Sequence, residues 1–163
     1  MDEVVPNSKF DETVKARAHE MAASSDKSDV AQGILLTPIS RSFTEDAVTY
    51  STVEVALNRS ARRARITIKG PEAAAPSDME MLVAEGAEAW VLRCARELDD
   101  AILHLRNNEK ELGLIEFQTQ GDPACVVDHE ALLLANKDHW LANEILQYWK
   151  RVLKRIDMTS RSL

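Results

Sequence analysis

The sequence predicts an α/β fold built on an incomplete sheet with long amphipathic helices. Three observations carry this. Residues 53–57 and 66–69 alternate apolar and polar side chains with period two. Over residues 87–107, Val91, Cys94, Ala95, Leu98, Ile102 and Leu105 recur at spacings of three and four, the period of a helix with one apolar face. After the polar NNEKE comes LGLIEFQT, a short apolar run rich in strand formers, so the helix reads as the crossover between two parallel strands.

The elements follow in chain order. DEVVP, ending in a proline, reads as a short extended piece. Asn7 or Ser8 is then placed to cap a helix over about 9–24, with Phe10, Val14, Ala18 and Met21 forming one apolar stripe. Residues 24–47 mix Ser, Asp, Gly and Pro without a sustained period and read as a surface linker between two units. Val53, Val55 and Leu57 then alternate with Glu54 and Ala56. After the polar turn NRSARR, Ile66 and Ile68 alternate with Thr67 and Lys69, giving an antiparallel pair. Ser77 is positioned to cap a helix near Asp78, with Glu80 at the capping-box position. After the strand at 112–119, Gly121-Asp122-Pro123 breaks the chain, and an acidic start at Asp128 opens a helix to about 136. A last helix, 137–156, places Leu141, Ile145, Tyr148, Trp149, Val152 and Ile156 on one face. Striped helices near both ends and only three legible strands read as an excerpt of a longer chain, with a small obligate oligomer as the other reading.

Composition narrows the function. The chain has 163 residues, 45% apolar and 29% charged, enough for one domain with a core. Its 27 acidic and 20 basic side chains give a formal charge of −7, which lacks the cationic excess that nucleic-acid binding needs. Apolar runs such as 132–135 fall far short of the roughly 20 residues of a membrane span. The acidic start MDEVVPNSK does not resemble a secretory signal, so a cytoplasmic protein is expected. Cys94 and Cys125 lack ligand spacing and are expected as free thiols.

Several phrases resemble one family. DEVVPNSKFDETVKARAHEMAA looks like the closing helical region of a crotonase-type module. VEVALNRSARRARITIKGP looks like the first hairpin of another, and ARELDDAILHLRNNEKELGLIEFQTQGD like its first helix and next strand. Closing piece, linker and opening piece in that order resemble the junction between the two modules of benzoyl-CoA-dihydrodiol lyases. AQGILLTPISR, KDHWLANEI and RIDMTSRSL are similar to the same family. The resemblance implies a partial crotonase-like fold, a ββα spiral. Residues 1–24 would close a first module, 25–47 would link, and 48–163 would open a truncated second module. It also implies a lyase that opens the ring of the epoxide or dihydrodiol of benzoyl-CoA in aerobic benzoate breakdown, releasing a semialdehyde-CoA and formate. CoA is then part of the substrate, and no separate cofactor is expected. The remaining parts of the parent chain are expected as partners, with homo-oligomerisation and without nucleic acid or membrane. An enoyl-CoA hydratase or isomerase fragment, or a non-catalytic scaffold module, are the alternatives.

The same resemblance locates the chemistry. Crotonase-type sites hold the thioester oxygen with two backbone N–H groups and set carboxylates beside the reacting carbons. The family's glutamates fall ahead of Met1, so no catalytic carboxylate can be named in this chain, and the chain alone is expected to be inactive. The loop GDPACVVDHEALL sits where the first oxyanion donor is usual. The family's alanine-glycine-alanine-aspartate phrase is absent and Pro123 has no N–H, which leaves the backbones of Cys125 and Val126. Cys125 with His129 four residues on could suggest a nucleophile pair, but no third group is visible to orient the histidine, and a buried thiol is the plainer reading. His129 and His139 lack further metal-ligand spacing, and His104 reads as a rim residue. Glu97, Asp99 and Asp100 read as a solvated helix face, and ARRAR at 61–65 as a solvated turn rather than a CoA-phosphate contact. Trp90, Trp140 and Trp149 read as core or interface anchors.

Overall fold

A computed structural model describes residues 4–25 and 33–159. The start of the expected extended opening (1–3), the middle of the expected linker (26–32) and the end of the closing phrase (160–163) lie outside the described residues. The chain divides into two compact units, Met1–Gly33 and Ile34–Leu163.

In the first unit a short 3-10 turn, Asn7–Lys9, leads into helix α1, Phe10–Ala23. Neither Asn7 nor Ser8 caps it: the N-cap is Lys9, without a side-chain cap bond. Thr13 Oγ1 instead donates to the Lys9 carbonyl at 2.9 Å, and Arg17 pairs with Glu20. The stripe side chains Phe10, Val14 and Met21 are each about half exposed or more, at 54%, 49% and 63%.

The second unit holds a five-stranded sheet in the order β1-β2-β3-β4-β5, formed by Ser42–Phe43, Ala47–Thr49, Val53–Asn58, Arg63–Lys69 and Leu114–Gln120. The first three pairings are antiparallel, and β4 and β5 run parallel from Arg63↔Leu114 to Lys69↔Gln120. This is a mixed α/β architecture with an open, incomplete sheet, as a partial crotonase-like fold requires. β1 and the first residue of β2 fall where a linker was read. At two and three residues they are too short to display a period, although Val48 is buried against the core.

In β3, Val53, Val55 and Leu57 are buried while Glu54, Ala56 and Asn58 are exposed, so the alternation does set the strand's faces. Asn58 Oδ1 accepts from Ser60 Oγ and Ala61 N–H at the turn, and Arg62 takes a left-handed φ of 52°. β5 was expected inside a parallel sheet, but it forms the edge, and Arg63, Arg65 and Glu116 lie on a charged side of the sheet. Three antiparallel pairings allow this, because an antiparallel sheet tolerates one wet face.

Between β4 and β5 run α2, Met79–Glu85, a 3-10 turn, Gly86–Glu88, and α3, Trp90–Asn108. The N-cap of α2 is Asp78 rather than Ser77: its carboxylate accepts from Met81 N–H at 2.9 Å, and Ser77 Oγ donates to Asp78 in turn. These two bonds hold the Asp78 carboxyl below its ordinary value. Cys94, Leu98, Ile102 and Leu105 of α3 pack with Val53, Val55, Ile66 and Ile115 of the sheet. After β5, α4 covers Pro123–Ala135 and α5 covers Trp140–Asp157. Helix α4 starts five residues before the expected Asp128, because Asp122 caps it through Ala124 N–H at 2.8 Å and Pro123 takes the first turn, where a missing N–H costs nothing. A second cluster joins Leu82, Val91, Leu133, Leu141 and Ile145.

Candidate functional site

The C-terminal ends of the parallel strands β4 and β5 are the place to look, since open α/β sheets bind ligands outside the carboxyl ends of their strands. Beyond Lys69↔Gln120 the chains stay in contact, with Gly70 N–H donating to the Gln120 carbonyl at 2.7 Å. Gly121 is the position that calls for a glycine. A Cβ on Gly121 would lie 3.2 Å from Gly70 backbone atoms, and Gly121 has a φ of 114°.

A second turn abuts the same edge. Lys69 N–H donates to the Thr52 carbonyl at 2.8 Å. The turn is held by Glu97, only 4% exposed, whose carboxylate accepts from the N–H and hydroxyl of both Ser51 and Thr52, three of the four at 2.6 Å. Trp90, at the start of α3, donates its indole N–H to the Lys69 carbonyl at 3.0 Å.

These pieces line an open cavity of about 450 Å³. Its floor is Ser51, Thr52, Lys69 and Gly70, one wall is the loop from Pro71 to Pro76, and Trp90, Arg93 and His129 close the rest. Its volume lies in the range of small-molecule sites. His129 is 5% exposed and meets Trp90 edge to face, with ring centroids 5.4 Å apart. Lys69 pairs with Glu54 at 3.7 Å and Arg93 with Glu88 at 3.3 Å, so both cations carry a carboxylate partner.

The residues singled out from the sequence are distributed as follows. Cys125 and Val126 stand in the first turn of α4 rather than in an open loop, and neither lines the cavity. As the third helical residue, Cys125 has an N–H with no carbonyl four residues back inside the helix, whereas that of Val126 faces the cap residue's carbonyl. His129 Nδ1 bonds the Cys125 carbonyl at 2.8 Å and not its sulfur, so the two do not form a nucleophile pair. Cys94 is buried, which pushes its thiol up to about 12. Both cysteines are free.

His139 accepts from Leu141 N–H and caps α5, and among the described residues no cluster of metal-ligating side chains occurs. His104, partly buried, contacts Asn108 and the Phe43 ring. Trp149 donates to the Val91 carbonyl at 2.8 Å and Trp140 packs on the second cluster, as anchors do.

One reading is corrected. Glu97, Asp99 and Asp100 are not a solvated face: Glu97 clamps the Ser51–Thr52 turn, Asp99 pairs with Arg155 at 2.6 Å, and Asp100 holds Arg41 and the Tyr50 hydroxyl. Burial first, and then the Asp100 bond, raise the Tyr50 phenol well above its ordinary value. Arg62, Arg63 and Arg65 are exposed, as read from the sequence, with Arg62 donating to the Glu111 carbonyl and Arg63 and Arg65 pairing with Glu116 at the surface. The signal missed was i, i+3 geometry on α3: Glu97 falls three residues after Cys94 and one before Leu98, on the edge of the buried stripe.

Comparison with known proteins agrees with the resemblance read from the sequence. Over all 163 residues the chain is 37% identical to a benzoyl-CoA-dihydrodiol lyase of Aromatoleum evansii, and it spans 29% of that protein's length. No family model matches the chain.

Proposed function

We propose, from the chain's homology to a segment of a benzoyl-CoA-dihydrodiol lyase, that it is the middle section of an enzyme that opens the ring of oxidised benzoyl-CoA. The observation that carries this is identity running through the whole chain rather than through one motif. In this reading residues 1–24 close one crotonase-like module, 25–47 link, and 48–163 open a second. The enzyme would be cytoplasmic and homo-oligomeric, and its CoA would belong to the substrate, with no separate cofactor called upon. Among the described residues no helix is long and apolar enough to cross a membrane.

The cavity beyond β4 and β5 would take part of the acyl-CoA thioester. Cleavage builds negative charge on the thioester oxygen, which backbone N–H groups stabilise when aimed at it in advance. Cys125 N–H at the positive end of α4, beside the cavity rather than in its lining, is the donor this section would offer to a thioester reaching past it. The acid and base carboxylates would come from other parts of the enzyme.

A second reading, a scaffold module beside a competent site elsewhere, is favoured by one observation. Asp122 already places its own carboxylate on Ala124 N–H, at the helix end where an oxyanion would bind. The two readings are compatible in an enzyme with one working module and one supporting module.

The test is turnover. Purified alone, the chain should release no formate from oxidised benzoyl-CoA and should not hydrate crotonyl-CoA. Turnover that disappears on mutating a residue of this chain would show that a complete site lies within it.

A further inference from the structure

We propose that His129 contacts the ligand of this cavity, its Nε2 accepting a hydrogen bond from a secondary-amide N–H such as a pantetheine arm carries. The ligand class rests on the acyl-CoA reading above, and the role of the ring rests on its own geometry. His129 Nδ1 faces the Cys125 carbonyl at 2.8 Å, and a carbonyl only accepts, so Nδ1 carries the proton. In the neutral ring Nε2 is then an acceptor. Among the described residues nothing donates to it, and it is not sealed from solvent. The residue is only 5% exposed and lines this cavity.

The surroundings select the ligand chemistry. Three carboxylates, Glu72, Glu85 and Glu88, line the cavity against two cations, Lys69 and Arg93, of which Arg93 keeps its Nε buried and unpaired; this acidic excess favours a neutral donor over an anion. Pro71, Ala73, Ala74, Pro76 and Trp90 supply apolar wall. An aliphatic chain interrupted by amide N–H groups satisfies both requirements.

The experiment uses the whole 163-residue chain and imidazole nitrogen NMR, with pantetheine and then benzoyl-CoA as probes. Pantetheine should move the His129 Nε2 resonance out of the range of an unbonded acceptor. His129→Phe should weaken binding roughly three- to tenfold, the worth of one hydrogen bond, and His129→Gln should recover most of it. The wild-type spectrum gives the answer even where a variant fails to fold. Pantetheine bound at Nε2 with benzoyl-CoA excluded would support the role of His129 and contradict the lyase reading. Benzoyl-CoA bound with Nε2 unmoved would overturn the role of His129 and leave the lyase reading standing. Binding of neither probe would overturn this inference, and formate release by the longer enzyme would then judge the lyase reading separately.

Discussion

A single carboxylate fixes the turn that floors the cavity. Glu97 takes four donors from Ser51 and Thr52 while almost fully buried, and removing it strands the two buried donors of Thr52 away from water. Glu97→Gln keeps the shape but turns an NH₂ toward donors. It is expected to destabilise the chain by roughly 3 kcal/mol, since each buried group left unsatisfied costs about 1–3 kcal/mol. The midpoint of urea unfolding at constant slope measures this, and a change under about 0.5 kcal/mol would contradict the clamp. From the sequence Glu97 looked like one of three surface acids. Composition says that acids are mostly solvated, and only the fold reveals that the turn before β3 arrives beneath this one.

At the scale of elements, the strands and long helices were legible because burial imposes a period on them. β3, β4, α3 and α5 show it, whereas β5 was legible as a short apolar run after a helix. What was missed is short or is decided by caps. β1 and β2 are too brief for a pattern, and Asp122-Pro123 was read as a stop although the same pair is a sound helix start. The pair Gly70 and Gly121 joins β4 to β5 at the cavity mouth. Gly121→Ala combines a left-handed φ with a 3.2 Å approach to backbone, and should cost roughly 1–3 kcal/mol and loosen the strand ends. Hydrogen exchange at Gly70, whose N–H bonds Gln120, reports it directly: faster exchange is expected, and unchanged protection would show that the close approach is not needed.

For the whole molecule, the candidate site was only partly legible. The sequence pointed to the right strand end but to Cys125 and Val126. The enclosing residues Lys69, Trp90 and His129 come from three separate elements, which only the parallel pairing of β4 and β5 brings together. The central claim is that this strand edge holds part of an acyl-CoA thioester. Backbone amide chemical-shift mapping of the chain with benzoyl-CoA tests it most directly. The account predicts perturbations concentrated at Lys69, Gly70, Trp90, Gly121 and His129. Perturbations confined to the charged side of the sheet around Arg65 and Glu116, or none at saturating ligand, would contradict it.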